Sequence, residues 1–238
     1  MAPLGIIGSG NIGAAVARLA VAAGLPIVVA NSRGPQSLAD LIAQLGPLAT
    51  AGTLEQAAEA GDVVLLSVPL TARTAVPPAL LTGKTVLDTS NYYPHRDGRI
   101  PELDQSQLTT SELVRQHFPE ARLVKAFNNI LAHHIPQLAR PSGAADRTAL
   151  PIAGDHAEAK TLAAELIDQL GFDTVDAGSL AQSWHFEPDA AAYTRLYLAD
   201  PATPDEQIMQ APSRPVPAAE LRRALQVTER VRVGDRTF

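Results

Sequence analysis

The 238-residue sequence contains no cysteine. That absence excludes disulfides, thiolate nucleophiles and cysteine-based zinc or iron–sulfur sites, and it fits a reducing compartment. A basic run is also missing. The 19 lysines and arginines are outnumbered by 25 aspartates and glutamates, for a formal charge of −6. This balance argues against a nucleic-acid partner. No apolar run approaches the length of a membrane span, and Met1-Ala2-Pro3 enters a strand-like run with no positively charged segment ahead of it. Neither a membrane nor a signal peptide is expected, and the expected location is cytoplasmic. HExxH, a carboxylate–histidine cluster, an EF-hand pattern and the GxSxG elbow are all lacking. Adjacent His133 and His134 would point to different faces of a helix, so no metal is expected and a serine hydrolase is disfavoured.

What is abundant is apolar residue, at 46%, enough for a full core in one large domain or two small ones. Short apolar runs alternate with amphipathic stretches, the pattern of a parallel sheet covered on both faces. Strands are expected at Leu4–Gly8, Pro26–Asn31, Leu48–Ala51, Asp62–Val68, Thr85–Asp88 and Arg122–Ala126. Helices are expected near Ile12–Ala23, Gln36–Leu45, Leu54–Ala60, Ala75–Leu81 and Ser111–Phe118, with a break or late start where Pro77-Pro78 interrupts the fourth. Capping boxes are expected at Thr53 with Gln56, Thr109 with Glu112 and Asp155 with Glu158. Beyond Ala126, Asn129–Leu138 reads as a helix, and residues 149–178 as a further strand–helix–strand unit. From Asp200 the composition shifts to proline, alanine and aspartate, which reads as an extended arm before a short helix from Ala218 to about Arg230. The expected fold is an α/β Rossmann-type doubly wound parallel sheet with a small C-terminal extension. The expected division is 1–127, a nucleotide-binding domain; 128–199, a part closing the cleft; and 200–238, an arm and helix.

The first strand ends in Gly8-Ser9-Gly10-Asn11-Ile12-Gly13 and runs into a helix, with a second strand at the distance a dinucleotide fold requires. In that context Gly8 serves the tight turn, Gly10 the approach of a pyrophosphate and Gly13 close packing of helix on strand. The phosphates would sit on the helix N-terminus, whose unpaired N–H groups favour anions. The second strand ends not in the acidic residue of an NAD site but in Asn31-Ser32-Arg33. These residues remove a charge that would repel a 2′-phosphate and add a guanidinium fork suited to phosphate oxygens. The same residues are also common in an ordinary polar turn. At this place in this fold they point to NADP(H).

Ser67-Val68-Pro69 follows the fourth strand, and residues 88–99, with Tyr92 and Tyr93, follow the fifth. Both loops leave the carboxyl edge of the sheet, where ligands bind, so both are expected to border the nicotinamide; the alternative is that Pro69 only ends a strand and Tyr92-Tyr93 only cover a core edge. Lys125, Asn128 and Asn129 leave the sixth strand at the same edge, where polar groups can order a substrate or carboxamide, or cap a helix. The candidate catalytic residues are Tyr93, Lys125, Asn128 and His134, with Tyr92 beside them.

Residues 5–13, 31–35, 65–69, 124–129 and 151–178 together resemble the NADPH-dependent coenzyme F-420 reductase-like family, over about residues 4–195. That family is similar to the nucleotide-binding part of eukaryotic metalloreductases and, more distantly, to 6-phosphogluconate-type dehydrogenases. The resemblance implies direct hydride transfer between NADP(H) and a deazaflavin, a small C-terminal part closing the cleft, and a homodimer. By position it places the pyrophosphate loop at Gly8–Gly13, the 2′-phosphate pocket at Ser32 and Arg33, and the nicotinamide edge at Ser67, Val68 and Pro69. The segment 92–110 and the tail beyond Leu196 depart from the family pattern. The expected activity is hydride exchange between NADP(H) and a small planar redox substrate, a deazaflavin (coenzyme F-420) first and a flavin or quinone-like ring second. Reduction of a C=N or C=O bond is the alternative enzyme, and an NADP-binding sensor without catalysis is the alternative class.

Overall fold

The computed structural model describes residues 3–233. Eight strands form one sheet: β1 (Leu4–Ile7), β2 (Ile27–Ala30), β3 (Ala49–Ala51), β4 (Val63–Leu66), β5 (Thr85–Asp88), β6 (Arg122–Lys125), β7 (Ala149–Gly154) and β8 (Asp173–Asp176). Their order is β3-β2-β1-β4-β5-β6-β7-β8. The first six are mutually parallel; β7 runs antiparallel to β6, and β8 lies parallel to β7. The order therefore reverses between β1 and β4, and the crevice outside their carboxyl ends is where such sheets take ligands.

The inner strands are largely apolar and buried because they are covered on both sides, whereas in the edge strand β8 only Val175 is buried. Successive residues alternate between two cores. Ile6, Leu65, Leu87 and Val124 belong to one, packed with α1 (Asn11–Ala22). Ile7, Val64, Leu66, Val86 and Leu123 belong to the other. The remaining helices, in chain order, are α2 (Ala39–Leu45), α3 (Leu54–Glu59), α4 (Pro94–Asp97), α5 (Pro101–Asp104), α6 (Thr110–His117), α7 (His134–Leu138), α8 (Ala157–Gln169) and α9 (Ala218–Val227). The Thr53–Gln56 and Thr109–Glu112 capping boxes both form.

Four expected elements differ, two of them because distant groups claim the residues involved. Ala75–Leu81 is not a helix. Two 3-10 turns, Leu70–Ala75 and Pro78–Leu81, flank an extended Val76-Pro77, since proline removes the N–H and restrains the residue before it. The stretch Gln36–Leu45 divides into a 3-10 turn at Pro35–Leu38 and then α2. Only His134–Leu138 of the expected Asn129–Leu138 helix is helical. The chain leaves β6 through Phe127 at φ 57°, and the amides of Asn128 and Asn129 bond across to Phe186 O and Ala192 O rather than along a helix. The Asp155–Glu158 box is absent. Asp155 instead accepts from Leu180 N at 3.0 Å and pairs with Arg115 at 3.0 Å, and α8 begins after His156. In the tail, a 3-10 turn at Asp205–Gln210 interrupts the arm, and the last helix ends at Val227.

Candidate functional site

The turn after β1 is wedged into place by three glycines with three different surroundings. Gly8 has φ +112°, and a Cβ there would lie 2.0 Å from Ser67 O, at the end of β4. A Cβ on Gly13 would lie 2.0 Å from Gly8 O. The first turn of α1 is thus pressed onto the glycine loop itself, rather than onto a strand side chain. Over Gly10, by contrast, nothing approaches within 4 Å. Gly10 is the N-cap of α1 and offers no side-chain acceptor, so first-turn N–H groups are left to an outside anion.

Asn31 does more than remove a charge. Its Nδ2 donates to Ser9 Oγ (3.1 Å) and Ser37 Oγ (3.0 Å), and its Oδ1 accepts from Arg33 N (2.9 Å). One amide therefore ties the glycine loop to the loop after β2 and sets the turn that carries Ser32 and Arg33 into solvent. The Arg33 guanidinium has no hydrogen bond or ion pair among the described residues, so its donors are available to an incoming phosphate.

A cleft of about 340 Å³ opens along this edge. Gly10, Asn11 and Ile12 line it on one side, then Ser67, Val68 and Pro69 from the end of β4. The loop after β5 adds Ser90, Asn91 and Tyr93, and the loop after β6 adds Asn128, Ile130 and Leu131. Sequence reasoning missed Ser90 and Asn91, although it had singled out their loop. It also missed Tyr193, Thr194 and Met209, which reach the cleft from far along the chain with no local signal.

Asn91 organises the inner wall. Its Nδ2 donates to Asn128 O (2.7 Å) and Tyr193 OH (3.2 Å), while its Oδ1 accepts from Asn128 Nδ2 (3.0 Å). The hydroxyls of Tyr93 and Tyr193 are in hydrogen-bond contact across 100 residues of sequence. Arg96 donates to Asn91 O (2.8 Å), pairs with Asp97 and lies over the Tyr93 ring, 4.8 Å from its centroid. Two buried polar atoms of lining residues, Ser90 Oγ and Asn128 Oδ1, have no partner among the described residues. Both Asn128 Nδ2 hydrogens are used, so its free oxygen is an acceptor awaiting a donor.

The other candidates lie elsewhere. Lys125 is fully buried behind the cleft, donating to Ser90 O (2.8 Å) and Ser111 Oγ (3.1 Å) and paired with Glu187 at 3.3 Å. Buried Asp88 accepts from Ser111 Oγ (2.6 Å) and Ser90 N (3.0 Å), so the cluster fixes the loop that presents Ser90 and Asn91. His134 is also fully buried, bonded through Nε2 to Ala211 O at 2.7 Å, and burial holds its pKa below the usual histidine value. It anchors the tail. Tyr92 packs inward, its hydroxyl among Gly98 O, Asp104 and Ile100 N, so it fastens the 92–108 loop. Burial, before any nearby charge, raises its pKa. No group of three or more metal-ligating side chains is found among the described residues. No helix among them is long and apolar enough to cross a membrane.

The residues present fit a dinucleotide. An open cradle stands over Gly10, a free guanidinium sits at the end of β2, and two orphaned acceptors lie further along the same edge. Comparison with known proteins agrees. A family model described as NADP oxidoreductase, coenzyme F420-dependent, matches residues 3–92. The chain is similar to the metalloreductase STEAP3 of Rattus norvegicus, with 31% identity over 186 residues, covering 77% of this chain and 35% of that protein. It thus spans about a third of that relative's length. The crystal structure of the hypothetical protein SMa0349 from Sinorhizobium meliloti shares 36% identity over 77% of this chain and 88% of its own, with a TM-score of 0.67. A structure from Arthrobacter sp. FB24, assigned as an F420-dependent NADP-reductase, has the same fold, with a TM-score of 0.65 at 21% identity over 77% of this chain and 87% of its own. With the glycine loop, the Asn31-Ser32-Arg33 turn and a relative of this similarity over most of its length, the chain belongs to the family of NADP oxidoreductases described as coenzyme F420-dependent.

Proposed function

We propose that this protein transfers a hydride between NADP(H) and a planar redox ring, a deazaflavin (coenzyme F-420) first and a flavin second. One observation carries the reading. Among the described residues lining the cleft there is no aspartate, glutamate, histidine or lysine; the ionisable ones are Tyr93, Tyr193 and Arg96. Ring-to-ring hydride transfer needs alignment and exclusion of water and no protein group titrating near neutrality, whereas reduction of an imine or ketone needs a proton donor.

In this reading, Gly8, Ser9, Gly10, Asn11, Ile12 and Gly13, with the start of α1, hold the pyrophosphate. Ser32 and Arg33 hold the 2′-phosphate, on the turn that Asn31 sets. Ser67, Val68 and Pro69 bound the nicotinamide, and Ser90 Oγ with Asn128 Oδ1 accept from its carboxamide. The bound NADPH supplies the hydride. Residues 1–127 act as the cofactor domain, residues 128–199 close the cleft through Tyr193, and residues 200–238 form the arm. A homodimer in the cytoplasm, acting on a small-molecule redox substrate, completes the proposal. A second reading, imine or carbonyl reduction, is favoured by the paired hydroxyls of Tyr93 and Tyr193, which offer a proton to the cleft.

Single-turnover hydride transfer from NADPH to oxidised F-420, FMN and 2-methyl-1-pyrroline, followed from pH 6 to 9, separates the two. The expected result is transfer to a ring acceptor at a rate flat with pH once the acceptor's own ionisation is subtracted. Transfer to the imine alone, with a pH limb lost in Tyr93→Phe, would replace the first reading with the second.

A further inference from the structure

The tail crosses back over the cleft as a closed, braced loop. Its neck is an antiparallel bridge between Leu198 and Ser213, with Ala199 N donating to Pro212 O (2.8 Å) and Arg214 N to Tyr197 O (3.0 Å). His134 donates to Ala211 O from below, and Ser213 Oγ to Gln137 Oε1 at 3.1 Å. Inside the loop, Arg195 bonds Pro201 O and Thr203 O, each at 2.8 Å, and pairs with Asp205. Arg195 lies two residues after Tyr193, so the wall of the cleft and the loop above it are fixed to each other.

On this loop, within the 3-10 turn Asp205–Gln210, Met209 is 64% exposed and lines the cleft. The other exposed large apolar side chains, Leu48, Leu162, Val227 and Val231, do not line it. Single exposed apolar residues are ordinary on a protein surface. A thioether held over a ligand cleft by a two-ended neck and an arginine brace is different, because the bracing fixes a side chain that contributes little to the core. The cleft lining also includes the apolar Leu131 and Ala132, well past the end of β6, whereas the unpartnered polar groups of Ser90 and Asn128 belong to residues that closely follow β5 and β6. Methionine is polarisable and adaptable, and it makes favourable contacts with aromatic rings.

We propose that Met209, carried on the loop of residues 199–213, is a specificity residue for the acceptor: its thioether forms the outer wall against the acceptor ring, and Arg195 is the positioning residue that holds it there. The inference rests on the ring-acceptor reading and adds the residue that would select the ring. It also assigns the tail a part in substrate choice and none in cofactor binding.

The test uses the full chain saturated with NADP+. Dissociation constants of oxidised F-420 and FMN are read from their own fluorescence, without turnover, and that of NADP+ by calorimetry. Met209→Ala is expected to weaken ring binding at least fivefold and to leave NADP+ within twofold. Met209→Leu should restore most of the loss, and Arg195→Met should reproduce part of it. Ring binding unchanged in Met209→Ala, or a parallel loss of NADP+ affinity, overturns the inference while the hydride reading stands. If the wild type binds neither ring but reduces 2-methyl-1-pyrroline, the ring reading falls. The loop's role then stands on a fivefold rise in the imine KM in Met209→Ala and falls without it. A wild type that binds neither ring and reduces nothing overturns both.

Discussion

Two glycine substitutions three residues apart should fail in opposite ways. Gly10 has an extended backbone at φ −69°, and its Cβ direction is open, so valine fits there without moving the fold. The structural cost is that of a poorer N-cap, about 0.5–1 kcal/mol, or a fall in Tm of about 1–4 °C for a chain of this size. The cofactor cost is larger, because the new side chain stands where the pyrophosphate must approach the helix N-terminus. Loss of two charge-assisted hydrogen bonds corresponds to about 3–6 kcal/mol, at least a hundredfold in the NADPH dissociation constant. Gly13 is the third residue of α1, where alanine would stabilise a free helix by about 1 kcal/mol. Its Cβ would meet Gly8 O at 2.0 Å, and Gly8 cannot retreat because its own Cβ direction points at Ser67 O, also 2.0 Å away. A clash between backbone atoms falls at the upper end of overpacking costs, about 3 kcal/mol. The net loss of about 2 kcal/mol lowers Tm by about 4–8 °C. Thermal unfolding followed by circular dichroism, beside NADPH titration by nucleotide fluorescence, reads both variants. Gly10→Val binding NADPH within threefold of wild type would remove the cofactor from this loop. Gly13→Ala as stable as wild type would refute the packing argument.

Arg33→Ala should weaken NADPH about tenfold or more and leave NADH nearly unchanged, since NADH has no group there to lose. The measurement is kcat/KM for the two cofactors at one ionic strength, because salt screens an exposed guanidinium, and equal losses would mean that the arginine only shapes its turn. Adding Asn31→Asp should improve NADH, but less than charge alone would suggest, because aspartate cannot donate to Ser9 and Ser37 as Asn31 does. His134 is held neutral by burial, with its pKa lowered in the folded state. The unfolded chain then binds the extra proton below the ordinary histidine pKa, about 6.5, so stability should fall as pH drops from about 7 to 5. The slope should be shallower in His134→Gln, whose amide can still donate to Ala211 O; the same slope in both would place the acid sensitivity elsewhere.

Much of the sheet was legible in the chain because its signals are local. An apolar run of four to six residues followed by Gly-x-Gly-x-x-Gly leaves few options, and all six strands expected up to β6 occur within a residue or two of their limits. Elements failed where a distant partner outbid the local pattern. Asp155 had a capping sequence, but Leu180 N and Arg115 claim its carboxylate. Asn128 and Asn129 read as the start of a helix, yet their amides hold the segment around Phe186 and Ala192.

The site divides in the same way. By itself the sequence determined the glycine loop, the Asn31-Ser32-Arg33 turn and the Ser67–Pro69 edge, since each lies on one short stretch whose backbone is set by its own residues and the strand before it. It also determined the alternation of strands and helices expected of a doubly wound parallel sheet, whereas the strand order itself is a property of the tertiary structure. Only the tertiary structure decided that Lys125 and His134 are internal anchors and that Ser90 and Asn128 carry the free acceptors. Only it could bring Tyr193 to Tyr93 and Met209 over the cleft. Those contacts join residues from 35 to 100 positions apart, and no local periodicity encodes a contact made across the sheet edge by burial and side-chain hydrogen bonds.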